Sequence, residues 1–367
     1  MPSFNRLLCL PLSRLYGLAV ELRNKLFDRR ILPSETFPVP VISIGNLAVG
    51  GTGKTPHTEY LIRLLSKKYK VAVLSRGYKR KSKGFVLAGE NASAESIGDE
   101  PYQMFRKFPA VSVAVDGNRR RGIRNLLNPA LAQVPDVILL DDAFQHRYVT
   151  PSLSILLTDC SRLFSEDKLL PAGRLREPPK NKKRAQMLVV TKCPFPMEQT
   201  HCQEISEKLA LLPGQDLFFT SYKYKNLLPV FGESNPVKKE SIDRLKKEAC
   251  SAVLLAGLAN PSGLIQYLSA YIPDLQTLIY PDHHTFSRKD LRKLSETFDK
   301  IENAKKIIIT SEKDAVRLLD CPHVPETIKS VLFYLPVEVV FNQDKEELFI
   351  QTIENHVTTF ERNRILA

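Results

Sequence analysis

The segment Gly45-Asn-Leu-Ala-Val-Gly-Gly-Thr-Gly-Lys-Thr-Pro56 directly follows the apolar run 39–44. A buried strand that enters a glycine-rich turn ending in Gly-Lys-Thr has few ways to fold. It matches the local grammar of a phosphate-binding loop, where glycines let backbone N–H groups converge on phosphate oxygens. The strict G-x-x-x-x-G-K-[ST] pattern would place its first glycine at Ala48, so Gly50, Gly51 and Gly53 supply the backbone freedom instead. Lys54 is then the charge clamp on the β- and γ-phosphates, Thr55 the Mg2+ ligand and Thr52 a further donor to phosphate. The amphipathic run 58–68 supplies the helix that should follow. The competing reading is a glycine-rich hairpin turn with an exposed lysine.

Carboxylates fall where such a loop needs them. Asp136-Val-Ile-Leu-Leu-Asp141-Asp142 is an apolar strand ending in two acids, the position of a Walker-B acid that holds Mg2+ and its waters. Standing alone it would read equally well as a loop acid or a helix cap. Gln145, His146 and Arg147 follow at once and are candidates to line the site. From spacing alone, Asp99-Glu-Pro101 is a helix start, since acids and proline suit a first turn. Asp282-His-His284 precedes Ser287 and a charged helix; it fits a proton acceptor with its orienting partner, and fits surface histidines as well. Ser287 itself reads as a helix N-cap.

Further strands are expected at 71–75, 110–115, 137–140, 154–157 and 187–191, several separated by helical stretches. Strands alternating with helices predict a parallel sheet covered on both faces, with ligands at the carboxyl ends of the strands. A second set is expected at 218–224, 228–231, 252–256, 275–280, 307–310 and 331–341, with a hinge near the polar, glycine- and proline-bearing segment 232–240. The expected fold class is therefore α/β, with a P-loop NTPase-like three-layer α/β/α domain and a second, smaller α/β domain. The expected division is an N-terminal amphipathic helix over 1–35, a P-loop domain over 36–222, a smaller domain with hinge strands over 223–350, and a C-terminal helix over 351–367.

Charge constrains the partners. Fifty-three Lys and Arg against forty Asp and Glu give a net charge of +13, which favours a polyanionic partner or an anionic surface. No zinc-finger, basic-zipper or RNA-recognition aromatic motif accompanies the basic clusters, so nucleic acid is not expected. The six cysteines form no C-x-x-C pair and fit a reducing compartment. Over residues 3–30, Phe4, Leu7, Leu8, Leu12, Leu15, Leu18 and Leu22 recur at mostly three- or four-residue intervals, interrupted by Arg6, Arg14, Arg23 and Lys25. The uncharged stretches are far shorter than the ~20 residues that span a bilayer. Two readings fit: a basic amphipathic helix lying on an anionic membrane, or a helix packed on the domain core. Pro11 is expected to break or kink it.

Taken in order along the chain, these pieces resemble the tetraacyldisaccharide 4'-kinases, the lipid A 4'-kinases of Gram-negative bacteria. The resemblance rests on the phosphate loop, Leu74-Ser-Arg-Gly-Tyr78, Gly98-Asp-Glu-Pro101, Asp141-Asp-Ala-Phe-Gln-His146, Leu170-Pro-Ala-Gly173 and Leu175-Arg-Glu-Pro178. It continues through Ala256-Gly-Leu-Ala-Asn-Pro261, Asp282-His-His284 and Thr310-Ser-Glu-Lys-Asp314. It implies ATP-dependent phosphorylation of the 4'-hydroxyl of tetraacyldisaccharide 1-phosphate, giving lipid IVA, by a monomer peripheral to the cytoplasmic face of the bacterial inner membrane. It also implies that Asp99 takes the hydroxyl proton with Asp282 and His283 as its support. Lys54 and Thr55 hold phosphates and Mg2+, Asp141 and Asp142 complete the metal site, and Tyr78, Gln145 and Arg176 contact substrate or phosphate. Ala143 stands where glycine is more usual in this motif, which suggests that no positive φ is needed there. Arg174 stands where proline is common.

Three rivals remain at this stage. A GTPase-type switch would show D-x-x-G and [NT]-K-x-D, but the corresponding segments are Asp141-Asp-Ala-Phe144 and Thr191-Lys-Cys-Pro194, each without its decisive residue. A kinase of soluble nucleosides explains the loop but not the N-terminal helix. A nucleic-acid-stimulated ATPase requires turnover to rise with added DNA or RNA.

Overall fold

The computed structural model describes residues 9–131, 133–235 and 237–366. Phe4, Arg6, Leu7 and Leu8 of the amphipathic segment lie outside the described residues. The chain forms two compact units. The first comprises the residues up to Asn91, Met104–Tyr222 and the residues from Val339 on; the second comprises Ala92–Gln103 and Lys223–Glu338.

In the first unit, β1 (Val41–Asn46), β2 (Val71–Ser75), β3 (Val86–Leu87), β4 (Ser112–Val115), β5 (Val137–Asp141), β6 (Leu153–Asp159), β7 (Met187–Thr191) and β8 (Asp216–Tyr224) join the later strand Val337–Phe341. The order across the sheet runs from Val337–Phe341 through β8, β7, β6, β1, β5, β2 and β4 to β3. The pairs from β8 across to β4 are parallel and β3 is antiparallel to β4. Side chains alternate between faces along each strand. Ile42 and Ile44 accordingly join the core under helix Lys54–Leu65, with Leu61 and Ile62. Val41 joins Leu74, Ile138 and Leu140 against Ile123 and Leu126 on the other face. Both faces are covered, which is the three-layer arrangement that continuous apolar strands demand.

The second unit carries β9 (Leu228–Pro229), β10 (Ser251–Ala256), β11 (Leu275–Ile279), β12 (Lys306–Ser311) and β13 (Leu332–Leu335), in the order β11-β10-β12-β13-β9. Only β9 runs antiparallel to its neighbour. Val253 and Leu255 pack on Leu291, Leu294 and Phe298 of helix Arg288–Asp299. Leu254 and Ala256 pack on Leu264 and Leu268 of helix Ser262–Ser269.

Several boundaries differ from the sequence expectation. The single strand expected over 331–341 is two, because Pro336 lacks an N–H and ends β13; Val337–Phe341, β14, starts after it and joins the first sheet. Segment 218–224 is β8 of the first sheet rather than the start of the second set. The C-terminal helix begins at Glu346 rather than 351, and its Phe349, Ile353 and Val357 sit in the first unit's core. Residues 339–350 therefore leave the smaller domain, and Ala92–Gln103 joins it. The chain passes between the units at 91/92, 103/104, 222/223 and 338/339 and not within 232–240; that segment is tied back into the second unit by the paired backbone bonds of Leu227 and Glu240, 2.8 and 2.9 Å. Pro11 does not kink its helix: it lies in the first turn of Leu10–Asp28, where its missing N–H costs nothing.

Candidate active site

The phosphate loop leaves β1 at Asn46 and enters helix Lys54–Leu65. Gly50 and Gly53 have φ of 108° and 84°, a region that L side chains avoid. A Cβ on Gly53 would also overlap the Tyr222 hydroxyl, so conformation and space both demand glycine there. Lys54 is the first helical residue, with its ammonium 3.7 Å from Asp142 Oδ1. Thr55 is next in the same turn and partly exposed. Thr52 is buried, and its hydroxyl accepts from Asn46 Nδ2 at 2.6 Å, so its side chain braces the loop from within.

Asp141 and Asp142 close β5 but face different surroundings. Asp141 is buried and accepts from Ser75 Oγ at 3.1 Å and Thr58 Oγ1 at 3.4 Å. Asp142 sits at φ 47°, which carries its carboxylate to Lys54 and to Arg176 Nη2 at 2.8 Å. The strained φ belongs to Asp142 and not to Ala143. Burial pushes the Asp142 carboxyl up, but Lys54 and then Arg176 outweigh it and hold it down at about 2. Arg176 is aimed by backbone pairing of segment 174–176 with the loop: its N–H donates to Leu47 O at 2.7 Å, and Val49 N–H donates to Arg174 O at 2.8 Å. Its guanidinium also reaches the Asn46 side chain. Gln145 Nε2 donates to Asn46 O at 2.8 Å. Lys54, Asn46, Asp142, Gln145 and Arg176 thus meet at one strand end. Tyr78 stands in the turn after β2, more than half exposed.

The donor set suits a hard cation. Asp142 and Thr55 offer oxygens, and Gln145 Oε1 is buried without a protein partner while the amide nitrogen is held by Asn46. Oxygen donors of this kind are those Mg2+ takes. Asp141 lies behind them, already hydrogen-bonded.

The N-terminal helix packs against these same loops. Tyr16 Oη donates to Arg176 O at 2.9 Å, Arg23 Nη2 to Gln145 O at 3.0 Å and Ser13 Oγ to Leu169 O at 3.1 Å. Its packed face is Ser13, Gly17, Asn24 and Phe27, and a Cβ on Gly17 would sit 2.8 Å from Leu169 Cδ1. Leu12, Leu15, Leu18 and Leu22 point the other way, 57–64% exposed. Of the two readings of this helix, packing is realised by the face carrying Ser13, Gly17, Asn24 and Phe27, and Leu12, Leu15, Leu18 and Leu22 take no part in it.

A second group forms within the second unit. Asp99, at the start of helix Asp99–Lys107, accepts through Oδ2 from His283 Nδ1 at 2.8 Å and from Arg317 Nη2 at 2.6 Å. Among the described residues, no hydrogen bond reaches Oδ1. Lys313 Nζ lies 3.1 Å from His283 Nε2. An ammonium only donates, so Nε2 accepts and the ring proton sits on Nδ1, directed at Asp99. His283 holds φ 60°, and its N–H donates to Asp282 Oδ1 at 3.0 Å. Asp282 in turn pairs with Lys313 at 3.0 Å. His284 turns away, 3.0 Å from Asp290 and stacked on Tyr280. Asp99, Glu100 and His283 have the donor types of a metal site, but Lys313 and Arg317 already meet those atoms. Burial pushes the Asp99 carboxyl up; hydrogen bonds from His283 and Arg317 prevail and hold it at about 2. Removing a cation raises a carboxylate's pKa. Arg317→Gln is therefore expected to raise the pH at which the Asp99 carboxyl titrates, as read by carboxyl NMR, and an unchanged titration would contradict the pairing.

Arg317 and Lys313 are functional-site neighbours the sequence reading did not single out as partners of Asp99. Ser311 caps helix Glu312–Leu319, accepting from Asp314 N, which places Lys313 and Arg317 on one face, four residues apart.

The family model described as tetraacyldisaccharide-1-P 4'-kinase matches residues 5–357. The tetraacyldisaccharide 4'-kinase of Phocaeicola vulgatus is 50% identical over 353 residues, covering 96% of this chain and 95% of its own. That of Flavobacterium johnsoniae is 46% identical, covering 95% and 96%. The crystal structure of LpxK from Aquifex aeolicus in complex with ATP is similar with a TM-score of 0.72 and 32% identity, over 96% of this chain and 99% of that one.

Proposed function

The chain belongs to the tetraacyldisaccharide 4'-kinase family, and on that premise we propose how its residues move the γ-phosphate of ATP to the 4'-hydroxyl of tetraacyldisaccharide 1-phosphate, forming lipid IVA in lipid A biosynthesis. The observation that carries the reading is the meeting of Lys54, Asp142 and Arg176 at the phosphate loop. The loop N–H groups and Lys54 hold the β- and γ-phosphates. Asp142, Thr55 and Gln145 would hold Mg2+, with Asp141 supporting from behind; when bound, the ion supplies charge that offsets the negative build-up between the phosphates. Arg176 meets charge on the transferring group, and Tyr78 faces the acceptor.

A sugar hydroxyl is a poor nucleophile and must lose its proton as the new P–O bond forms. Asp99 accepts that proton on Oδ1, the oxygen left over by His283 and Arg317. The His283 Nδ1–H keeps Asp99 oriented, and Asp282 with Lys313 keeps the ring in place. A carboxylate held at about 2 is a weak base, which suits a loose transition state where the proton leaves late.

The exposed leucines of helix Leu10–Asp28 enter the lipid surface where the acceptor resides, at the cytoplasmic face of the inner membrane. Support comes from the hydrogen bonds that tie this helix to the Arg176 and Gln145 loops, which brings a lipid-bound acceptor beside the phosphate. Among the described residues no helix is long and apolar enough to cross a membrane. Withdrawing each leucine from water is worth roughly 1–2 kcal/mol, and nearby basic residues about 1 kcal/mol each on an anionic surface. Leu15→Glu with Leu18→Glu is expected to abolish co-flotation with anionic vesicles at unchanged melting temperature, since both side chains already face solvent. Undiminished flotation would remove the helix from membrane binding. Acceptor choice tests the rest: the lipid disaccharide 1-phosphate should be phosphorylated at O4', and free glucosamine should not.

A further inference from the structure

The back of the phosphate loop is held by three side chains outside the Gly-Lys-Thr motif. Lys192 Nζ donates to Gly51 O, Thr191 Oγ1 to Thr52 O at 2.9 Å, and His57 Nδ1 to Gly53 O at 2.7 Å. These are three consecutive carbonyls. Across a trans peptide the C=O of one residue and the N–H of the next point to opposite sides. Fixing the carbonyls of Gly51, Thr52 and Gly53 inward therefore directs the N–H groups of Thr52, Gly53 and Lys54 away from the protein. Thr52 N–H spends its bond on Gly50 O at 2.9 Å and tightens the turn. Gly53 and Lys54 N–H face outward at the helix start, where no carbonyl lies a turn earlier to accept them. We propose that His57, Thr191 and Lys192 are positioning residues that set the phosphate loop in its anion-binding conformation before nucleotide arrives.

Each brace is itself anchored. Thr191 ends β7, and its hydroxyl also lies 3.2 Å from Thr158 O on β6. Lys192 is paired with Asp159 at 2.7 Å, so its charge is already matched and it acts as a strut rather than as a phosphate ligand. His57 is buried, and its Nε2 lies 2.9 Å from the Thr220 hydroxyl on β8. A carbonyl can only accept, so Nδ1 carries a proton and donates it to Gly53 O. A preformed loop avoids paying for its ordering when ATP binds.

The inference rests on reading this loop as the ATP cradle, and the experiment separates the two. An Asn side chain places its amide nitrogen near the position of Nδ1, and Gln near that of Nε2. His57→Gln is expected to raise the KM for ATP about tenfold, the size of one lost hydrogen bond. His57→Asn should recover most of that loss. Neither should change the KM for the lipid acceptor. Thr191→Val and Thr191→Ser form a second pair, with the hydroxyl removed and restored, should the His57 variants not fold. Equal KM for ATP in the two members of each pair would overturn the proposal, as would equal losses tracking a fall in melting temperature. Failure of the wild-type protein to bind an ATP analogue would instead overturn the cradle itself.

Discussion

Replacing Asp99 by Asn is expected to cut phosphoryl transfer by about 10²- to 10⁴-fold, the range for losing a positioned proton acceptor, while an ATP analogue still binds. The amide keeps the shape of the carboxylate but cannot take a proton from the acceptor hydroxyl. ATP affinity should survive because every contact assigned to phosphate lies at the loop after β1 or on Arg176 beside it. The change also leaves Arg317 with one carboxylate fewer, although Asp314 remains 2.7 Å away. The sign of the pH effect follows from the depressed carboxyl. Asp99 ordinarily titrates near 3.8 and is held at about 2, so it contributes stability above the ordinary value that fades as pH falls through 2. The variant should lose that part of its acid dependence. Wild-type turnover in Asp99→Asn would remove the residue from the mechanism; loss of both turnover and ATP binding would point to unfolding, which a melting curve reports.

Lys54→Met should be nearly as damaging, for a different reason. It removes the charge at the head of the helix and keeps most of the stem. Transition-state stabilisers of this kind are worth about 10²- to 10³-fold. Lys54 is also the leading cation holding the Asp142 carboxyl down against its burial, so the variant lifts Asp142 and weakens its hold on a divalent cation at mildly acid pH. Raising Mg2+ should then restore more of the activity at acid pH than at neutral pH. An ATP dependence and a rate matching wild type would contradict the assignment of Lys54.

The sequence made the strand–loop–helix start readable because glycine, lysine and hydroxyl spacing is dictated locally. The pairing of Asp142 with Arg176 was not readable from spacing, since 34 residues separate them and the link is the short pairing of the loop with 174–176. Choosing between His283 and His284 needed the backbone: the left-handed turn at His283 points its ring to Asp99, and the capping box at Ser287 draws His284 to Asp290. Arg317 carried a detectable signal, four residues after Lys313 on a helix opening with Ser311, but its partner lies 218 residues away. Thr191 and Lys192 read in the sequence only as an incomplete guanine motif, and their contacts with the loop come from β7 ending beside it in space. Pro336 was the missed local cue, for a proline inside an apolar run argues against one continuous strand.

The measurement that bears most directly on the central claim is transfer of label from γ-labelled ATP to tetraacyldisaccharide 1-phosphate in mixed micelles, with and without Mg2+. The account predicts label in the lipid, on O4', only when Mg2+ is present. Label released solely as inorganic phosphate, or carried only to soluble acceptors, with ATP still bound by the phosphate loop, would contradict it.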